Sequence, residues 1–136
     1  MKVYFRGVGE MESYVSIPEG VYVCRIAEVR DGYTRKQEPR WSFRLEVDDG
    51  DHAGRTAAWD GLTFGERGLP RTKEVLARLG FDVSGTLELE PNDLLGLKLR
   101  AQLLIEERED PLTGRRVARL RVPYLGYEAL EPEDAL

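Results

Sequence analysis

Histidine and cysteine are nearly missing from this chain, which holds only His52 and Cys24. One of each, far apart in sequence, cannot supply the three or four ligands of a usual zinc site. A single cysteine also excludes an internal disulfide and fits a reducing compartment. Cys24 stands between Val23 and Arg25 in a strand-like run, where it reads as a small buried hydrophobe rather than a nucleophile. No run of about 18 apolar residues is present to span a membrane, and residues 1–6 lack the apolar stretch of a secretory signal. A cytoplasmic location without a membrane partner is therefore expected. Glycine-rich phosphate loops, serine nucleophile elbows and zinc signatures are missing as well. Asp48, Asp49 and Asp51 cluster beside His52, but without the spacing and distal glutamate of a calcium loop. They read as a hairpin turn. No cofactor, metal or catalytic residue is expected, and binding is favoured over catalysis.

What remains is enough for one core. The chain has 136 residues, of which 41% are hydrophobic and 33% charged, a size and balance suited to a single domain. That domain is expected over residues 1–127, with residues 1–16 as an N-terminal extension and residues 128–136 as a flexible acidic tail. The net charge of −5 counts against a polyanionic partner, yet four acids (Glu128, Glu131, Glu133 and Asp134) fall in the tail. Most of the 20 basic residues are arginines, which fork onto phosphate and stack on planar rings better than lysine does.

Residues 20–29, rich in β-branched and aromatic side chains, follow the turn signal Pro18-Glu19-Gly20 and predict a first strand. In the second, Trp41, Phe43, Leu45 and Val47 alternate with Arg40, Ser42, Arg44 and Glu46, a period of two. A third strand is expected over residues 55–62. Val75, Leu76 and Leu79 then share one helical face ahead of the stop at Gly80. Residues 91–96 suit a single helical turn. Two more strands, residues 97–106 and 115–124, flank the turn Asp110-Pro111-Leu112-Thr113-Gly114. Three strands, a helix and two strands is the order of an all-β, five-stranded OB-fold barrel with one helix between strands three and four.

Such barrels bind ligands across strands two and three, between the first-to-second and fourth-to-fifth loops. Those positions carry Tyr33, Arg35 and Lys36 in one loop, Arg40 and Arg44 on the strand, and Arg115, Arg116 and Arg119 at the other hairpin. Tyr33 has little apolar company and reads as a contact residue. Arg40 and Arg44 also fit a plain solvated face, while Trp59 fits either core or a stacking platform. The arginines of residues 115–121 have no equal number of acids beside them in sequence, which makes them the strongest electrostatic signal in the chain. Phosphates held by arginine and bases stacked on aromatics are what single-strand binding needs.

The order of motifs resembles a family of phage and prophage proteins described as single-stranded DNA-binding OB-folds. Its marks here are Pro18-Glu19-Gly20-Val21-Tyr22, the Trp41 to Val47 strand, Gly54-Arg55 leading to Trp59, Leu79-Gly80 closing the helix, Leu94-Leu95-Gly96, and Gly126-Tyr127 near the end. The resemblance spans residues 17–127 and implies sequence-independent single-stranded DNA binding in replication or recombination. It does not say which residues touch DNA. By analogy with bacterial single-strand binding proteins, Glu131, Glu133, Asp134 and Leu136 of the tail would dock a replication or recombination protein; an ordinary solubilising terminus explains them equally well. The alternative function is a protein-interaction OB module that docks such an enzyme, and a carbohydrate- or small-ligand-binding barrel is a third. A homo-oligomer is left open.

Overall fold

The computed structural model describes residues 11–130. Seven strands and one helix follow in order: β1 (Met11–Ser13), β2 (Gly20–Tyr33), β3 (Pro39–Val47), β4 (Thr56–Thr63), α1 (Leu69–Arg78), β5 (Lys98–Glu109), β6 (Arg116–Arg121) and β7 (Tyr127–Ala129). A single 3-10 turn, Pro91–Asp93, precedes β5. The strands form one sheet in the order β1-β6-β5-β2-β3-β4, with β7 added to β5. All pairings are antiparallel except β1 with β6.

The five expected strands are thus β2 to β6, and two short ones join them. Among the described residues no backbone ladder connects β4 to β6, so the sheet does not close into a barrel. A strap spans the gap instead. The Tyr14 N–H donates to the Ala118 carbonyl on β6, while the Ser16 hydroxyl donates to the Thr56 carbonyl on β4. Arg55 returns a bond to the Ser16 carbonyl, and Ile17 plugs into the core. Residues 11–16, set apart by the sequence as an extension, therefore add the edge strand β1 beside β6 and bridge its gap to β4 through side-chain and main-chain hydrogen bonds. At the other end, Glu128 and Ala129 belong to β7 rather than to a tail; Glu131, Glu133, Asp134 and Leu136 lie outside the described residues.

Alternation explains the core. Trp41, Phe43, Leu45 and Val47 point inward from β3, joined by Cys24 and Ile26 from β2, Leu99, Ala101 and Leu103 from β5, and Leu62 from β4. Helix α1 takes Leu69-Pro70 into its first turn, where proline's missing N–H costs nothing. It buries Thr72, Val75 and Leu76. Gly80, at φ 101°, stops it, and the Phe81 N–H reaches back to the Leu76 carbonyl.

One polar cluster ties these layers together. The hydroxyl of Tyr127, which is fully buried, donates to Asp60 on β4 at 2.6 Å, and Arg71 of α1 grips the same carboxylate at 2.8 Å. Arg71 also donates to the Gly61 carbonyl. Every member of the cluster is satisfied, as a buried polar network must be.

Candidate functional site

The outer face of β2, β3 and β4 is assembled by register and two bulges. On β3, Arg40, Ser42, Arg44 and Glu46 alternate outward from the core residues. Across them on β4 stand Thr63, Gly61 and Trp59, opposite Arg40, Ser42 and Arg44 respectively. The β3–β4 register slips between Leu45 and Glu46, so that Ala57 is the extra residue and Thr56 and Trp59 both face outward. The β2–β3 register slips in the same way around Ala27. Arg25, Glu28 and Arg30 therefore share the outer face, although simple alternation would set Arg25 and Arg30 on opposite sides.

Trp59 sits on this face at 42% exposure, with the Arg30 guanidinium 4.6 Å from its ring centre. Arg30 is held in turn by Glu28. Arg40 lies over Gly61, where a Cβ would collide with its guanidinium. This glycine lets the arginine lie flat on the sheet. Beyond Arg40 the β2–β3 turn is braced by the Thr34 hydroxyl, which accepts from the N–H groups of Lys36 and Glu38, and Gln37 takes φ 63°. Tyr33, at 71% exposure, Arg30, Arg35 and Arg40 line one hollow of about 460 Å³ there. Lys36 borders the next hollow, in the company of Arg35, Arg67, Glu38 and Glu66.

The cations divide into committed and uncommitted ones. Arg25 and Arg44 both bond Glu46, and Arg44 also reaches Thr56 and Glu28. Hydrogen bonds from Arg25 and then Arg44 hold the Glu46 carboxyl below its usual range, so it remains an anion and keeps both arginines occupied. Among the described residues Arg35, Lys36, Arg40, Arg115 and Arg119 have no carboxylate within ion-pair distance.

The 115–121 segment differs from its sequence reading. Half of its positive charge is met from across the hairpin, where Glu107 pairs with Arg116 at 3.2 Å and Glu106 with Arg121 at 3.0 Å. Those acids are distant in sequence and adjacent in the β5–β6 ladder. Neither Arg115 nor Arg116 lines the hollows beside Trp59 or Tyr33. Arg119 does: it borders a second hollow with Trp59, Leu120 and Tyr14.

Of the residues expected from sequence, the fold thus brings Tyr33, Arg35 and Arg40 together at one end of the face. Arg44 stands on its middle strand, Trp59 opposite it on the edge strand β4, and Arg119 across the gap on β6. Two contributors were missed. Arg30 was hidden by the β2 bulge, and Tyr14 stood in a segment without a strand signal. A face of this kind can stack planar rings on Trp59 and Tyr33 and hold anions by Arg35, Arg40 and Arg119. Among the described residues no group of three or more His, Cys, Asp or Glu side chains is arranged to hold a metal ion, and no helix is long and apolar enough to cross a membrane.

No family model matches the chain, and neither does any curated protein. Its functional reading therefore rests on its own residues.

Proposed function

We propose that this protein is a non-catalytic, sequence-independent single-stranded DNA-binding protein of the cytoplasm, acting in replication or recombination. The observation that carries the reading is Trp59, an exposed indole on the edge strand β4 of a sheet face bearing arginines, with one guanidinium already stacked on it. A strand of DNA laid across this face would meet Tyr33 and Arg35 at one end, Arg40 and Trp59 in the middle and Arg119 at the other. Stacking is indifferent to base identity because every base has a π-face, and the cations follow the backbone charge.

The strand order supports the same reading. Taken without β1 and β7, the sheet runs β6-β5-β2-β3-β4 with the helix between β4 and β5, which is compatible with an OB-fold opened between its third and fifth strands. The candidate face is then the β3–β4 surface on which such folds carry oligonucleotides. The likeness of motif order to the phage single-strand binding family adds to it.

Fluorescence anisotropy with labelled oligo(dT) and a matching duplex, across a salt series, tests the proposal. Single strands should bind much more tightly than duplex, with log K falling by roughly 0.7 per phosphate contact for each decade of salt. An absence of single-strand binding at low salt would overturn it.

A further inference from the structure

The gap between β4 and β6 holds a hollow of about 450 Å³. Its walls are mostly apolar: Leu120, the small side chains Ala57 and Ala58, and two aromatics, Trp59 from β4 and Tyr14 from the strap. Both aromatics are exposed, Tyr14 by 59%, and each carries an arginine over its ring. Arg30 lies over Trp59, and Arg119 stands 5.6 Å from the centre of the Tyr14 ring. Arg119 is also one of the uncommitted cations. Small side chains leave room, two rings offer faces, and a cation without a carboxylate waits at the rim. That combination suits a planar heterocycle with an anion attached to it.

Resting on the single-strand reading above, we infer that this hollow takes one unstacked nucleobase of the bound strand, on the face of Tyr14 beside Trp59, with Arg119 holding the adjoining phosphate. The strap is then part of the binding site as well as of the sheet. Its anchorage gives the reason that Tyr14 is positioned for this. The residue's own N–H is tied to β6, and Ser16 two residues on is tied to β4, so the ring is presented at a fixed height over the gap. A guanidinium already lies against each ring, so a base entering the hollow would replace or join it.

Oligo(dT) carrying 5-iodouracil, irradiated in complex with the full chain, tests the contact directly by mass spectrometry of the cross-linked residue. Tyr14→Leu, Tyr14→Phe and Arg119→Ala are titrated alongside, with thermal melts to show that each variant is folded. We expect a cross-link at Tyr14, a loss of roughly tenfold in affinity for Tyr14→Leu, near-complete retention for Tyr14→Phe, and a shallower salt dependence for Arg119→Ala. Normal oligo(dT) binding by Tyr14→Leu without any cross-link at Tyr14, while Trp59→Ala still weakens binding, would overturn the pocket and leave the face intact. A wild-type chain that does not bind oligo(dT) at all would overturn both.

Discussion

Arg40 and Arg44 stand four residues apart on the same face of β3 with different surroundings. Arg44 is engaged by Glu46, Glu28 and Thr56, so an incoming phosphate must compete with carboxylates already in place. Arg40 has Ser42 and the bare backbone of Gly61 beside it, and no described carboxylate within ion-pair distance. Arg40→Ala should therefore lower single-strand affinity and reduce the salt slope by about 0.7, whereas Arg44→Ala should leave the slope near its wild-type value; the same anisotropy titrations measure both. Trp59→Ala should cost about 1–3 kcal/mol of stacking, a loss of roughly 5- to 150-fold, and Trp59→Phe should recover much of it. The two arginines are indistinguishable in the sequence, because each occupies an outward position of the same alternating strand. One of the acids that separate them, Glu46, lies two residues along β3, and the other comes from register: Glu28 faces Arg44 across the β2 bulge.

At the scale of elements, the inward sides were legible and the outward ones only in part. The β3 core residues and the helix face of Val75 and Leu76 follow from period alone. Gly80 was readable as the helix stop, and its positive φ shows why. Gly80→Ala should destabilise the fold by about 1 kcal/mol, since a Cβ is strained in that conformation; a denaturant titration with unchanged m-value would measure it. The β5–β6 hairpin was less transparent. A run of arginines counted along the chain looks like a cationic patch, yet half of its charge is answered by Glu106 and Glu107 on the neighbouring strand. Bulges had a similar effect, moving Arg30 onto the Trp59 face where a strict period of two would have left it elsewhere.

Across the whole molecule, stability and charge are coupled through two buried protons. Burial, with Asp48 and Asp49 adding to it, pushes the Cys24 thiol up from 9.0 to about 12. Burial and then the neighbouring Asp60 raise the Tyr127 hydroxyl well above its usual 10.0. Both groups hold their protons more tightly folded than unfolded. Their contribution is fully present below about pH 9 and is lost as pH rises through that of the folded thiol, about 12. Thermal melts between pH 8 and pH 11.5 (roughly the span of this linkage) should show a falling Tm, with a flatter decline in a Cys24→Ala, Tyr127→Phe double variant. Near neutrality these groups leave stability unaffected by pH. The negative net charge of the chain is equally a whole-molecule quantity, and says little about a face on which carboxylates answer some arginines and leave others uncommitted.

The presence of the helix and its Val75–Leu76 face, the five longer strands and the inward residues of β3 were legible in the sequence alone. These follow from periods and stop signals that lie within a few consecutive residues. Only the tertiary structure decided that Trp59 is exposed, that Tyr14 reaches the site, that the sheet stays open between β4 and β6, and which arginines are neutralised. Each of those depends on strand register and on bulges that set one strand against another, and these bring together separate segments of the chain, as Tyr14 with Ala118 and Arg30 with Trp59.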